Sequence, residues 1–332
     1  MGRHGGNVRE LAEAAGIHPH DIVDFSANIN PLGPPECLRP VISRSLDRVV
    51  HYPDPQGQTL IQALSRHHGL PPEHFVVGNG STELLFTMPR VADWTKALIP
   101  VPSYVDYLTA AEQAKVPVET LPMKSSSGFT VDWTALERRL EGQTLVILGQ
   151  PNNPTGISFH PERLQEVAAR HPQSLFVIDE AFLDFLPQAC TAFSPHLPNI
   201  AVLKSMTKIF AIPGLRLGYG IFPKGFATGV RDVMPPWSAN SLALDVGRAV
   251  LEDREYLQRS QDLVHTCRRD LLRRLQDVAG MRVLSGEVNY LLCRVEAEDH
   301  DAHTLSQALL QHGMALRTCS NYQGLDHRYF RL

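Results

Sequence analysis

The sequence predicts an α/β protein: a large domain whose mainly parallel sheet is sandwiched by helices, joined to a smaller α+β domain. Three observations carry that prediction. Short, evenly apolar segments (Phe75-Val76-Val77, Ala97-Leu98-Ile99, Thr144–Leu148, Leu175–Ile178 and Ile200–Leu203) alternate with helical patterns, as strands buried on both faces do. Each ends in a loop rich in Gly, Pro, Asn, Asp or hydroxyl residues. After Pro235-Pro236-Trp237 the texture changes to a charged helical run from Ser241 to Leu275. Strand-like Met281–Leu284, Tyr290–Val295 and Ala315–Arg317 follow, around a helix near Thr304 to His312. The expected division is an N-terminal arm with part of the small domain (1–45), a large domain (46–240) and a small C-terminal domain (241–332).

Before the first long strand, Asn7 to Gly16 reads as a short helix stopped by glycine, and Ile22-Val23-Asp24-Phe25 as an extended piece. Asn28–Pro35 is a turn-rich crossing, Pro35 to Val49 is helical, and His51–Pro55 is a stiff loop. Thr59 to His68 sets Leu60, Ile61 and Leu64 on one helical face and stops at Gly69. The 332 residues carry a formal charge of -4, which gives no electrostatic ground for binding nucleic acid or an anionic membrane. Charged residues interrupt every apolar run before it reaches membrane-spanning length, and the N-terminus lacks an apolar signal core. Five scattered cysteines without a Cys-x-x-Cys pair point to reduced thiols, a cytoplasmic location and no structural metal.

The chemistry concentrates at strand ends. Ile200–Leu203 runs into Lys204-Ser205-Met206-Thr207-Lys208, with Arg216 beyond it between Pro213-Gly214 and Gly218. A lysine amine condenses with an aldehyde, and two hydroxyls with an arginine hold a phosphate. Pyridoxal phosphate offers both groups, so Lys208 reads as a Schiff-base lysine with Ser205, Thr207 and Arg216 on the cofactor phosphate. A surface lysine is the plainer reading of that stretch alone. Gly80, Ser81 and Thr82 sit at a helix start that suits a phosphate; lacking a third glycine, Gly78-Asn79-Gly80-Ser81-Thr82 disfavours a dinucleotide. Asn153 reads as a partner for the cofactor's phenolic oxygen, or as part of a plain turn. Asp179 reads as the carboxylate that keeps the pyridine nitrogen protonated, or as a helix cap. Tyr104 reads as a ring stacker, or as a core aromatic. Occurring in one order at successive strand ends, these residues support one another.

Taken together, the chain resembles the fold-type I pyridoxal-phosphate enzymes of the class I/II aminotransferase superfamily along essentially its whole length. Asn153-Pro154-x-Gly156, Asp179-Glu180-Ala181-Phe182 and Ser205-x-x-Lys208 through Arg216 carry the resemblance. His4-Gly5-Gly6-Asn7, Asp24–Gly33 and Arg317-x-Cys319-x-Asn321-Tyr322-x-Gly324-Leu325 bring it nearer the L-threonine-O-3-phosphate decarboxylases of cobalamin biosynthesis than the histidinol-phosphate aminotransferases. The resemblance implies a homodimer in which Tyr52 reaches the neighbouring subunit's cofactor phosphate. It also implies that Arg331, with Asn153, grips the substrate carboxylate, and that His4, Gly5, Asn28 and Arg317 surround the substrate's own phosphate. It leaves two reactions open, decarboxylation of threonine phosphate and transamination of histidinol phosphate. A non-catalytic regulator on this fold is a remote third reading; it calls for an attached helix-turn-helix domain, which this sequence does not show. Two departures stand out. Phe182 replaces a tyrosine common in aminotransferases, and the chain stops at Leu332, where the family continues through another strand and a final helix.

Overall fold

The computed structural model describes residues 4–332. Seven strands form the large sheet: Phe75–Asn79 (β1), Lys96–Val101 (β2), Val118–Pro122 (β3), Thr144–Gly149 (β4), Leu175–Asp179 (β5), Ile200–Ser205 (β6) and Leu217–Ile221 (β7). Their order across the sheet is β1-β7-β6-β5-β4-β2-β3. All neighbouring pairs are parallel except those of β7, which runs antiparallel to both β1 and β6. That single reversal matters for function. The carboxyl ends of β1, β2, β4, β5 and β6 share one edge, and β7 begins at that same edge, so Arg216 immediately before it joins the loops there.

The apolar runs have no polar alternation because both faces of the sheet are covered. Val146, Leu148, Phe176, Ile178 and Val202 enter one core, with Leu60, Ile61 and Leu64 of helix Gln58–His68 and Ala243, Val246 and Val250 of helix Ser241–Val250. Their strand neighbours Leu145, Ile147, Leu175, Val177, Ala201 and Leu203 enter the other, with Leu84 and Leu85 of helix Ser81–Thr87 and Ala110 and Ala111 of helix Asp106–Gln113. Phe176, Val177 and Ile178 are all fully buried, each burial stabilising by about 1.5–3 kcal/mol, so the strand that delivers Asp179 is held from both sides.

A second, antiparallel sheet of Met281–Leu284 (β8), Leu292–Val295 (β9), Arg317–Thr318 (β10) and Tyr329–Arg331 (β11) has the order β10-β11-β9-β8. Near the N-terminus, Val23–Asp24 pairs in parallel with Met314–Ala315, which ties the arm to this part of the chain. The charged run expected as one helical stretch is two helices, Ser241–Val250 and Arg254–Gln276, the second started by the Asp253 side chain accepting from Tyr256 N. Ala315–Arg317 is not one strand; it is divided between the end of the short parallel pair and the start of β10. The sequence reading also misses β3, β7 and β11. Leu217-Gly218-Tyr219-Gly220 carries two glycines, which weaken a strand signal, and β11 is only three residues long.

Candidate active site

At the carboxyl edge of the large sheet lies a cavity of about 190 Å³. All the site residues singled out from sequence line it except Tyr52. Tyr52 is 82% exposed on the outer surface, its ring 4.9 Å from that of Trp237. The cavity thus joins the ends of six strands of the large sheet to the N-terminal arm and to the second sheet.

Strand β6 ends in Ser205, and the one-turn helix Met206–Ile209 presents Lys208 beside it. The Ser205 and Thr207 hydroxyls are buried and 2.8 Å apart. Burial, then the cationic neighbours Arg331 and Arg216, lower the Lys208 amine from 10.5 to about 8, opposed by Asp179. Among the described residues this amine has no hydrogen-bond or ion-pair partner. A lysine so placed is a nucleophile near neutral pH rather than a fixed cation.

Asp179 closes β5. Tyr107 donates to its Oδ2 at 2.8 Å and the Ala181 amide donates to Oδ1 at 3.1 Å, while burial pushes its pKa up. A cationic group opposite it would favour the ionised form, and the cavity is where such a group fits. Arg216 adopts the left-handed conformation (φ 56°) and reaches back to Gly80. A Cβ on Gly80 would stand 2.8 Å from Arg216 Nη2, and one on Gly218 only 2.2 Å from the Ser81 amide nitrogen. Glycine at both positions lets β7 and the Gly80–Thr82 turn close on each other, which forms a cradle of amides, hydroxyls and one guanidinium.

The opposite wall carries two arginines. Arg317 and Arg331 are register partners on adjacent strands β10 and β11, and both are buried. Arg331 donates through Nη1 to Asn153 Oδ1 at 2.7 Å and through Nη2 to the Ser26 carbonyl at 2.8 Å, and its guanidinium lies 5.5 Å from the centre of the Tyr290 ring. Arg317 donates to the Thr318 carbonyl and to Asn321 Oδ1, both at 2.9 Å. The arm completes the wall. His4 lies 3.4 Å from Asp106, and Gly5 packs so closely on Ser26 that a Cβ there would stand 2.2 Å from its carbonyl oxygen. Asn28 is 5% exposed, and among the described residues neither of its amide atoms has a partner, an arrangement that calls for a ligand. Tyr104 stands edge-on to Tyr107 at 5.7 Å, and Phe182 is buried against Tyr290. Ser26, Ala27, Ala181, Phe182 and Tyr322 also line the cavity without having been given a role from sequence, and Tyr107 supports Asp179 from behind. Ser26 and Tyr322 lie inside stretches singled out from sequence; Tyr107 gave no signal, because a fully buried tyrosine on a helix reads as core.

The profile described as aminotransferase class I and II matches residues 20–332. The chain belongs to that family. It is thus a pyridoxal-phosphate-dependent enzyme with the type I fold. It is 39% identical to the threonine-phosphate decarboxylase of Salmonella typhimurium over 341 residues, covering 99% of this chain and 91% of that one. It is 32% identical to the adenosylcobalamin biosynthesis bifunctional protein CobDQ of Leptospira interrogans, covering 99% of this chain but 39% of that longer protein. Among solved structures, the histidinol-phosphate aminotransferase of Clostridium acetobutylicum superposes with a TM-score of 0.86 at 29% identity, covering 92% of each chain. The cavity suits the family's cofactor: a free, weakly basic amine, a buried carboxylate, a hydroxyl pair and a glycine-lined cradle surround one small space. Among the described residues no cluster of His, Cys, Asp and Glu could hold a metal, and no helix is long and apolar enough to cross a membrane.

Proposed function

We propose that this chain decarboxylates L-threonine O-3-phosphate to (R)-1-aminopropan-2-ol O-2-phosphate, a step of cobalamin biosynthesis. The observation that carries this reading is the pair of register-matched arginines, Arg317 and Arg331, facing one cavity. A phosphate and a carboxylate on a single small amino compound match two such guanidinium groups. The 39% identity to the Salmonella decarboxylase points the same way.

Pyridoxal phosphate, when bound, supplies an electron sink for whichever α-carbon bond stands perpendicular to its ring. Lys208 would provide the amine that holds it, and Gly80, Ser81, Thr82, Ser205, Thr207 and Arg216 would hold its phosphate. Asp179, which Tyr107 steadies, would hold the ring nitrogen, Asn153 would bind the phenolic oxygen and Tyr104 would pack on the ring. Arg331 grips the substrate carboxylate and so decides which bond is presented, while Arg317, His4, Gly5 and Asn28 receive the substrate phosphate. Lys208, titrating at about 8, can deliver a proton to the α-carbon after carbon dioxide leaves. It could equally remove one, so transamination of histidinol phosphate stays as the second reading, favoured by the 29% identity to the Clostridium aminotransferase.

We place the enzyme in the cytoplasm as a homodimer, its substrate a small molecule and neither nucleic acid nor membrane. The exposed apolar side chains Leu46, Val49, Val50, Tyr52 and Trp237 support a covered face, with Tyr52 offered across it. The test is to incubate the holoprotein with threonine phosphate and measure both products. Carbon dioxide release without a 2-oxo acid is expected. Absence of release, with turnover of histidinol phosphate and 2-oxoglutarate, overturns the reading.

A further inference from the structure

Between the two arginines stands a tyrosine that the roles above leave unused. Tyr322 is 2% exposed and lines the cavity. Its hydroxyl is 3.4 Å from Asn153 Oδ1 and 3.5 Å from Arg331 Nη1, while its ring lies 5.3 Å beneath the Arg317 guanidinium carbon. One residue thus touches both anion grips: its hydroxyl lies beside Arg331 and also accepts from Arg317, whose guanidinium its π face meets as well.

The backbone fixes it in that position. The Tyr322 amide donates to the Cys319 carbonyl, and its own carbonyl accepts from Leu325, each at 3.0 Å. The ring packs among Val105, Leu292, Cys319 and Tyr329. Burial raises the phenol's pKa, so the hydroxyl stays protonated and can donate. The contacts to Asn153 and Arg331 are longer than a well-formed hydrogen bond, and a guanidinium such as that of Arg317 can only donate to the hydroxyl, so its own proton is only loosely engaged. Arg331 Nη1 already donates to Asn153 at 2.7 Å, so a carboxylate oxygen arriving at Arg331 would find the hydroxyl close by.

We propose that Tyr322 is a specificity-determining residue: its hydroxyl donates a hydrogen bond to the substrate carboxylate held by Arg331, and its ring sets the height of Arg317 beneath the substrate phosphate. This rests on the reading of Arg331 and Arg317 as the carboxylate and phosphate grips. It sharpens that reading, because one side chain then fixes the separation between the two anions. The site selects amino acids whose phosphate lies a set distance from the carboxylate, over amines or amino acids bearing only one anion.

The hydroxyl and the ring can be removed separately. Tyr322→Phe keeps the ring and deletes the donor; Tyr322→Leu deletes both. Binding to the holoprotein is read with three probes: threonine phosphate, which is consumed, through its KM, and threonine and 1-aminopropan-2-ol phosphate, which lacks the carboxylate, through their inhibition of that turnover. A hydrogen bond to a charged group is worth about tenfold in affinity or more. Tyr322→Phe should therefore weaken threonine phosphate and threonine about tenfold and the carboxylate-free phosphate distinctly less, the loss on that probe reporting only the hydroxyl's bond with Arg317. Tyr322→Leu should weaken the carboxylate-free phosphate as well. Thermal unfolding and the cofactor spectrum of each variant show that the fold is kept. The proposal is overturned if Tyr322→Phe binds all three probes as the wild type does, or weakens all three equally. If the wild type itself binds neither phosphorylated probe, the proposed function has failed instead.

Discussion

The cavity has two walls built on different terms. On the large-sheet side, Lys208, Asp179, Ser205 and Thr207 sit at the ends of strands packed from both faces, and glycines let the phosphate cradle close tightly. On the other side, Arg317 and Arg331 stand on strands of two and three residues, joined to the N-terminal arm through the Ser26 carbonyl. The first wall is packed from both faces of the sheet and holds groups suited to any pyridoxal-phosphate reaction. The second is assembled from distant parts of the chain and holds the groups proposed to tell one substrate from another. The contrast suggests that cofactor chemistry and substrate choice can be altered separately.

Substitutions test that separation. The largest effect is expected from Lys208→Ala, which should remove the visible absorbance of the covalently held cofactor and lower activity by about three orders of magnitude or more, for every substrate alike. Arg331→Ala comes next. It removes the proposed carboxylate grip and leaves Asn153 Oδ1 without its shortest partner. Loss of one partner of a buried charge-assisted contact costs about 2–5 kcal/mol, so kcat/KM for threonine phosphate should fall by about 30-fold to several thousand-fold, with the cofactor spectrum retained. A spectrum lost in this variant would show that the two walls are not independent.

Gly218→Ala probes the first wall without touching a reactive group. Its Cβ would sit 2.2 Å from the Ser81 nitrogen, so β7 and the Gly80 turn must separate. An overpacking cost of about 1–3 kcal/mol should appear as weaker cofactor retention on dialysis, with the ratio of substrate preferences unchanged. The smallest effect is one of pH. Only the neutral Lys208 amine attacks an aldehyde, so cofactor uptake by the apoprotein should rise as pH passes through about 8, well below the 10.5 of an ordinary lysine. In Arg331→Ala, removal of a cationic neighbour should move that midpoint upward. A midpoint near that of free lysine in the wild type would refute the desolvated amine.

The same division decides how far sequence reasoning reached. Lys208, Asp179, Asn153 and Gly80 follow apolar strand patterns directly, and a polar residue at the end of a buried strand is a local signal. Arg331 and Arg317 were accessible only through resemblance, because nothing in a three-residue strand shows that it pairs with a two-residue one. Tyr107 and Tyr322 acquire their meaning from partners far along the chain, Asp179 and Asn153, which no spacing rule connects. Strand β7 escaped notice for a related reason: Gly218 serves the close approach to Ser81 and Gly220 makes room for the Phe222 ring, rather than strand propensity.

Strand β6 carries one further consequence. Lys204 points away from the cavity and is buried with Asp184 at 2.6 Å and Glu180 at 3.6 Å, which together hold its pKa above the ordinary lysine range. Lys208, in the one-turn helix that follows the strand, is held below it. Two amines four positions apart therefore answer oppositely to the same solution. A carbonyl reagent added at mild pH meets one of them as a base and the other as a salt, so the chain labels its own reactive lysine without any help from the reagent's shape.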